Sequence, residues 1–291
     1  MRRFVIRFLD AFVLLWLVTS LTFALIHLAP GDPATLLVAP TATADDIARE
    51  RARIGLDASM PAQYVQWMGA VLRGDLGMSL STARPVSAVI AEALPLSLAL
   101  GGLSLLFSFA IGVMIGGWQA LRAGPRGDTT VTVLSTVLYG APSFWLALAL
   151  VVLATSGASA VGVPLWLRLP AFGVESPAGL AEGFERWRDV ARHAVLPLTV
   201  LVLPGAAGVA RYARHAMLEA SRAPQVMAAA ARGLSRARIE RRYVLRTALT
   251  PLVVLFGLTL PGVIAGSVFV EQVFAWPGLG RTLLTASLAS P

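Results

Sequence analysis

The chain has 291 residues, a mean hydropathy of +0.72 and only 14% charged residues, whereas an average soluble domain has about a quarter. This composition excludes an ordinary soluble protein and predicts an integral membrane protein. The sequence contains no cysteine, which excludes disulfides and thiol chemistry. Its basic residues are all arginine, which we attribute to genome composition. Its net charge of +8 indicates basic loops on the cytoplasmic side of a membrane rather than nucleic-acid binding.

The first predicted element is a membrane span from Phe8 to Leu28, directly after the basic sequence MRRFVIRF. The apolar stretch is longer than that of a signal peptide, and no small-residue cleavage site follows it. We therefore expect a retained span with the N-terminus in the cytoplasm. The next segment, residues 29–94, has slightly more carboxylates than arginines, as is typical of the external side. Within it, residues 45–57 and 61–75 predict two amphipathic helices.

Four further uncharged spans are predicted from their length and composition, at residues 96–118, 131–156, 194–210 and 248–270. The second span carries Gly112 and Gly116 at a G-x-x-x-G spacing, which lets another helix approach closely. The fifth span carries the same spacing at Gly262 and Gly266. A break is expected in the third span at residues 140–142, where the sequence is Gly-Ala-Pro.

Charge alternates along the chain in a way that predicts its topology. Arginine is concentrated at the N-terminus, at 119–128 and at 211–247, while residues 29–94 and 157–193 are neutral or slightly acidic. This alternation is what a protein with a cytoplasmic N-terminus requires. The predicted organisation is a first span at 1–28, an external segment at 29–94, and a core at 95–291 that contains the basic loop 211–247.

The sequence offers little that points to catalysis. Its three histidines, His27, His193 and His215, lie far apart near span ends, which favours interfacial or loop histidines over metal ligands or bases. Motifs for nucleotide binding, esterase chemistry or zinc proteolysis are absent. We therefore predict no catalytic, cofactor-binding or metal-binding residue. Because the span centres hold no ionisable group, any active transport is expected to draw its energy from a separate ATPase subunit.

The segment 226–251, VMAAAARGLSRARIERRYVLRTALTP, is an exceptionally basic stretch between two spans. Pro224 predicts the start of a helix, Gly233 its end in the left-handed conformation, and Ser235 the cap of a following helix. A plain positive-inside loop would also explain the arginines. A DNA-reading helix-turn-helix is disfavoured because both flanks enter the bilayer within a few residues.

The same segment resembles the EAA cytoplasmic loop of membrane subunits from binding-protein-dependent ABC importers. Gly233, Ala228 and Ala229 match the glycine and alanines of that motif, while Met227 replaces its glutamate. The resemblance is closest to dipeptide, oligopeptide and nickel permeases of the DppB/OppB type. Four more blocks resemble that subfamily in the same order, at residues 23–34, 54–80, 84–100 and 270–281.

The resemblance implies an all-α, polytopic helical bundle of the type I ABC importer transmembrane domain, also called MetI-like. Family members continue into a sixth span after the W-P-G-L-G element, so a missing sixth span is expected here. The implied function is a non-enzymatic permease subunit of an ATP-driven importer for di- and oligopeptides. Nickel or another small solute is the alternative cargo, and a passive channel or membrane scaffold is the alternative from a different class.

The resemblance also implies partners and site residues. The partners are a DppC/OppC-type second permease, two cytoplasmic ATPases that bind the ATP, an extracytoplasmic substrate-binding protein and the lipid of a bacterial or archaeal inner membrane. The implied ATPase-coupling residues are Ala228, Ala229, Gly233, Leu234, Ser235 and Arg236. Candidate gating or structural residues are Glu271, Phe274, Trp276, Pro277 and Gly278. For the last group, a turn at Pro277–Gly278 and an interfacial anchor at Trp276 are the simpler interpretation.

Overall fold

The structure is a computed structural model, and it describes residues 2–28, 43–53, 55–79, 82–122, 124–164, 167–176, 183–265 and 267–288. Regular structure in these residues is helical, apart from one isolated bridge between Met78 and Pro85. The helices are α1 (Arg2–Leu28), α2 (Ala44–Arg53), α3 (Met60–Leu72), α4 (Val86–Leu121), α5 (Pro125–Gly140), α6 (Ser143–Val152), α7 (Ala158–Ala160), α8 (Gly183–Ser221), α9 (Pro224–Ala231), α10 (Arg236–Ile239), α11 (Leu245–Ala265), α12 (Val268–Val273) and α13 (Leu279–Leu288). Single π-helical turns at Leu153–Gly157 and Glu240–Val244 join α6 to α7 and α10 to α11.

Five helical stretches are long and apolar enough to cross a membrane. They are Arg3–Leu28, Val86–Leu121, Ser143–Ala160, Gly183–Ser221 and Arg236–Gly262. A helix as long as α8, with 39 residues, extends for about 58 Å, roughly twice the hydrocarbon thickness of a bilayer. The chain is therefore a multi-pass membrane protein, and its longest helix continues beyond the span that hydropathy alone delimits.

The predicted break in the third span is confirmed at Ala141–Pro142. α5 ends at Gly140, and Ala141 and Pro142 adopt extended conformations with ψ angles of 127° and 131°. Proline disfavours the helical conformation in the residue that precedes it, which explains why the helix stops there. The two predicted amphipathic helices are also confirmed, as α2 and α3.

Contacts divide the chain into two compact units, 1–89 with 286–291, and 90–285. In the first unit, α1 packs against α3 through one turn of polar and aromatic side chains. The Ser20 and Tyr64 hydroxyls lie 2.7 Å apart, and the His27 imidazole lies 3.1 Å from the side-chain oxygen of Gln63. The Phe23 ring also contacts that of Tyr64, at 5.3 Å between centroids. His27 is thus a packing residue of this unit.

In the second unit, α4 and α8 approach closely at the first G-x-x-x-G pair. A Cβ atom on Gly112 would lie 2.6 Å from the Cβ of Val209, and one on Gly116 would lie 2.8 Å from that of Ala213. Both distances are too short for real atoms, so the two helices meet at a spacing that only glycine allows. The prediction from this motif is confirmed. Gly262 has open space around it, and Gly266 lies outside the described residues.

Two apolar clusters mark the two ends of the second unit. One joins the last turns of α8 to the start of α11 and comprises Ala216, Met217, Ala220, Val244 and Ala248. The other joins α6, α8 and α12 and comprises Ala147, Ala171, Leu196, Val200, Val270 and Phe274. We call the first the basic end, because residues 122, 124–126 and 211–246 lie there with most of the unit's arginines. We call the second the Glu271 end.

Candidate functional site

The basic segment folds as helix, tight turn and helix. α9 has Pro224 in its first turn, where the missing N–H of proline is not needed. Gly233 follows with a φ of 74°, in the left-handed region that favours glycine. Its N–H donates to the carbonyl of Ala230 at 2.9 Å, and the N–H of Leu234 donates to that of Ala229 at 3.3 Å. These bonds satisfy carbonyls that the end of a helix leaves without partners.

Ser235 lies at the N-terminal boundary of α10, but its hydroxyl makes no capping hydrogen bond. The predicted side-chain cap is therefore wrong. The Ser235 carbonyl instead accepts the N–H groups of Arg238 and Ile239, at 2.9 and 3.0 Å. Ser235 and most of α10 are exposed, so water can hydrate the first N–H groups of this helix and a hydroxyl is not required.

The alanines of α9 divide between two faces. Ala229 has no exposed surface and points into the chain. Ala228, Ala230 and Ala231 are exposed, and the neighbouring Met227 side chain is 61% exposed. Of the two alanines that match the family motif, only Ala228 is accessible to a partner, while Ala229 holds α9 in place.

The Arg236 side chain is exposed, with 77% of its surface accessible, but its guanidinium is engaged within the chain. Its guanidinium donates to the carbonyl of Leu121, the last residue of α4, at 2.5 Å and to the carboxylate of Glu240 at 2.8 Å. The other carboxylate oxygen of Glu240 lies 3.5 Å from Arg122. Glu240 and Arg236 therefore connect the basic segment to the end of α4.

Exposed arginines that make no ion pair with the described residues surround this connection. They are Arg238, Arg241, Arg242 and Arg246. Arg214 of α8, by contrast, is paired. It binds Asp128 of α5 with both nitrogens, at 2.6 and 2.5 Å.

Asp128 and Gln119 complete an internal anchor at the basic end. The Gln119 amide donates to the Asp128 carboxylate and to the Thr132 hydroxyl, both at 3.2 Å, so that α4, α5 and α8 meet at one point. The hydrogen bond from Arg214 is the main cause that lowers the pKa of Asp128 below its ordinary value. Sequence reasoning missed this anchor, although Asp128 is the only carboxylate in the basic loop 119–128.

At the Glu271 end, a carboxylate with no exposed surface is fully hydrogen-bonded. It accepts from the Ser97 hydroxyl at 2.8 Å, from the Ser267 hydroxyl, and from the backbone N–H of Arg281 at 3.0 Å. The Ser97 oxygen in turn accepts the N–H of Leu279 at 2.8 Å. We call this group of residues the Glu271 node. It ties α4 to α12 and to the first turn of α13.

The W-P-G-L-G element forms the turn that closes this node. A Cβ atom on Gly278 would lie 2.5 Å from both the Glu271 carboxylate and the Ser97 hydroxyl, so no other residue fits there. Trp276 is only 3% exposed, and its indole N–H donates to the carbonyl of Leu96 at 3.4 Å. The interpretation of Trp276 as an interfacial anchor is therefore wrong. Phe274 is also buried, and its carbonyl accepts the N–H of Gly173 at 2.9 Å.

Between the two ends, α4, α5, α8 and α11 enclose an elongated cleft of about 700 Å³. Along α8 its lining runs from Leu201 to His215, a distance of about 21 Å. Toward the basic end its lining residues are Tyr139, Arg211, Tyr212 and His215, and toward the Glu271 end they include Gly101, Ser104, Thr259 and Ser267. Sequence reasoning did not find this cleft, because no single motif marks it.

The histidines are dispersed across the structure. His193 is buried, with its imidazole 2.9 Å from the carbonyl of Asp189, while His215 lies at the cleft. Within the described residues, no group of three or more histidines and carboxylates could hold a metal ion.

Comparison with known proteins places this architecture in a family. The model for "Binding-protein-dependent transport system inner membrane component" matches residues 108–291, and an N-terminal model of the same kind of membrane component matches residues 1–101. A chain from a solved structure, titled "Crystal structure of an amino acid ABC transporter with histidines", gives a TM-score of 0.49 at 16% identity, covering 69% of this chain and 79% of that chain.

Three curated relatives align over nearly the whole sequence. The di/tripeptide transport system permease protein DppB of Pseudomonas aeruginosa is 35% identical, over 92% of this chain and 82% of the relative. The oligopeptide transport system permease proteins AppB of Bacillus subtilis and OppB of Mycobacterium bovis are 32% and 34% identical, over 93% and 96% of this chain and 82% and 85% of the relatives. The chain belongs to the family of binding-protein-dependent transport system inner membrane components.

Proposed function

We propose that this chain is one of two permease subunits of an ATP-driven importer of di- and oligopeptides. The relatives described above are named as peptide permeases, which supports this cargo. In this proposal ATP is bound by two separate cytoplasmic ATPases, and a substrate-binding protein delivers the peptide from outside. Nickel or another small solute is the alternative cargo.

The orientation follows from charge. The exposed arginines of the basic end support a cytoplasmic location for that end under the positive-inside rule, and the arginines in the first residues of the sequence support the same for the N-terminus. The Glu271 end then faces outward, toward the substrate-binding protein. The coupling segment α9–α10 lies on the side where the ATPases bind, and its free arginines can pair with carboxylates of their surface.

One observation carries the coupling proposal: an exposed alanine surface and a left-handed glycine turn lie directly beside a connection to α4. Met227, Ala228 and the half-buried Leu234 would contact the ATPase, because their surfaces are at least partly accessible. Ala229 and Arg236 would act within the chain, the first by packing and the second through Leu121 and Glu240. ATPase closure would thus move α9 and α10, and with them the end of α4.

At the outward end, the buried Glu271, Phe274 and Trp276 would hold the span ends together and would not touch the solute. Pro277 and Gly278 would form the turn that completes this arrangement. Their contribution to gating would be to give the moving helices a fixed point.

The test is ATP-driven uptake by the complete transporter, co-expressed with its partner subunits and reconstituted with its binding protein. Gly233→Val should abolish peptide uptake and substrate-stimulated ATP hydrolysis without reducing membrane insertion, because a β-branched residue is strained at a φ of 74°. Gly233→Asn should retain part of the activity, since asparagine tolerates this conformation. Gly124→Ala is the matched control, because Gly124 has a φ of −71° and open space around it.

Normal coupled hydrolysis in Gly233→Val would contradict the coupling role. Uptake that needs no ATP in the wild-type transporter would instead favour a passive channel. Uptake of Ni²⁺ but of no peptide would favour the alternative cargo.

A further inference from the structure

We propose that the cleft binds a short peptide with its C-terminal carboxylate at Arg211; this inference rests on the proposed function and assigns its solute site. The cleft volume, about 700 Å³, falls within the range of small-molecule sites. Among the described residues that line it, none is a carboxylate, and Arg211 is the one permanent cation. This lining attracts an anionic group and disfavours a free divalent metal ion, which needs anionic or several imidazole ligands.

Arg211 is held in the cleft but is not neutralised. Its guanidinium carbon lies 5.6 Å from the centroid of the Tyr139 ring, within the range of a cation–π contact. Gly208 makes room for that ring, since a Cβ atom there would lie 3.0 Å from Tyr139 Cε2. Arg211 forms no ion pair with the residues that the structure describes, whereas Arg214 in the next turn is bound to Asp128. The planar guanidinium of Arg211 therefore remains available to bind a carboxylate through two hydrogen bonds.

The hydroxyl groups farther along the cleft suit the other end of a peptide. Those of Ser104 and Thr259 donate to helix carbonyls, at 2.8 Å to Gly101 and 2.9 Å to Phe256. Ser108 is placed similarly, 3.5 Å from the carbonyl of Val202. Because their protons are engaged, these oxygens offer lone pairs and can accept N–H groups of an ammonium or an amide.

The spacing of the two regions matches a short peptide. Ser108 packs against Gly205, and six residues of α8 separate Gly205 from Arg211, a rise of about 9 Å. An extended tripeptide spans about 10 Å. Leu105, Phe109 and Leu255 also line the cleft and add apolar surface without charge, which accommodates side chains of different sequence.

The experiment compares trialanine with trialaninamide, which lacks the terminal carboxylate, in ATP-driven uptake by the reconstituted transporter. Arg211→Gln should raise the KM for trialanine at least about tenfold, because a charge-assisted hydrogen bond is lost, and should leave uptake of trialaninamide nearly unchanged. Arg211→Lys should retain part of the preference for trialanine over trialaninamide, since lysine keeps the positive charge but lacks the planar guanidinium. Arg222→Gln, which removes an exposed charge near the end of α8 outside the cleft, is the control and should behave as wild type.

Because the same binding protein is used throughout, a change in the ratio of the two KM values reports on the permease. An equal ratio in wild type and Arg211→Gln would overturn the carboxylate site while leaving the importer function intact. If the wild type takes up neither peptide in an ATP-dependent manner, the proposed function itself fails. Vesicles of phosphatidylcholine alone test the competing source of an anion: a defect that disappears without anionic lipid would assign Arg211 to a lipid headgroup and overturn the proposal.

Discussion

At the Glu271 end, a fully buried carboxylate accepts hydrogen bonds from two serine hydroxyls and a backbone N–H, and a glycine without room for a side chain covers it. At the basic end, an exposed alanine surface and several arginines that form no ion pair within the described part of the chain surround a glycine turn. One end satisfies its polar groups within the chain, whereas the other exposes groups that only a partner or solvent can satisfy.

The two ends therefore suit different roles. Buried polar groups must be paired inside the fold, so the Glu271 node resists change and is suited to a fixed point. The exposed surface of α9 and α10 has few internal polar contacts, and those of Arg236 and Glu240 lead to α4. The two ends share α4, which begins near the node and finishes at that connection. In the proposed coupling, motion of α9 and α10 would pivot on the Glu271 end.

Gly278→Ala should have the largest effect, because it disrupts the buried hydrogen bonds of the Glu271 node. The added Cβ would meet the Glu271 carboxylate and the Ser97 hydroxyl at 2.5 Å, and the surrounding turn has no free space. Overpacking together with disrupted buried hydrogen bonds is expected to destabilise the protein by about 3 kcal/mol or more. Thermal unfolding of the purified chain in detergent measures this. Gly257→Ala, on α11 with open space around it, should unfold at or above the wild-type temperature. Equal midpoints for the two variants would contradict a close-packed node.

Local backbone features of this chain could be predicted from its sequence, whereas its long-range side-chain pairs could not. The Gly233 turn, the Pro224 helix start and the break at Ala141–Pro142 follow local rules of backbone conformation, so short stretches of sequence suffice. The close approach at Gly112 was predictable for the same reason, although the identity of the facing helix was not.

Side-chain hydrogen bonds between residues far apart in the sequence could not be predicted from these local rules. Ser97 and Glu271 are 174 residues apart, and Asp128 and Arg214 are 86 residues apart. Each of these residues has an ordinary local setting, and only the packing of α4, α5 and α8 brings it to its partner. Burial of Trp276 was missed for this reason, since an aromatic residue beside a proline turn is equally typical of a membrane interface.

Asp128→Asn should have a smaller effect at the basic end, where its ion pair with Arg214 is an internal anchor within an otherwise exposed surface. The two side chains are 26% and 34% exposed, so the loss is expected to be about 1 kcal/mol, well below that at the Glu271 node. The pKa of Asp128 is lowered by Arg214, so the pair stabilises the fold above the ordinary carboxyl pKa. That stabilisation is lost as the pH falls through the lower folded value.

Thermal unfolding of wild type and Asp128→Asn across a pH series checks this prediction. The difference between their midpoints should be constant near neutral pH and should shrink under acidic conditions. A difference that grows as the pH falls would contradict the assigned ion pair. Arg238→Gln, which removes an exposed arginine of α10, is the control and should leave the midpoint unchanged at every pH.

Ser235→Ala should have the smallest effect, although its position in the sequence is that of a helix cap. Its hydroxyl makes no capping bond, so the stability of α10 should change by less than about 0.5 kcal/mol. Thr43 offers the contrast at the start of α2, because its hydroxyl and backbone N–H both donate to the Asp46 carboxylate, at 2.7 and 2.9 Å. Thr43→Ala should cost about 1 kcal/mol locally. Hydrogen exchange of peptides from α2 and α10 measures both changes. Faster exchange of α10 in Ser235→Ala would show that the hydroxyl caps this helix. The basic end would then satisfy more of its polar groups within the chain than its exposed groups indicate.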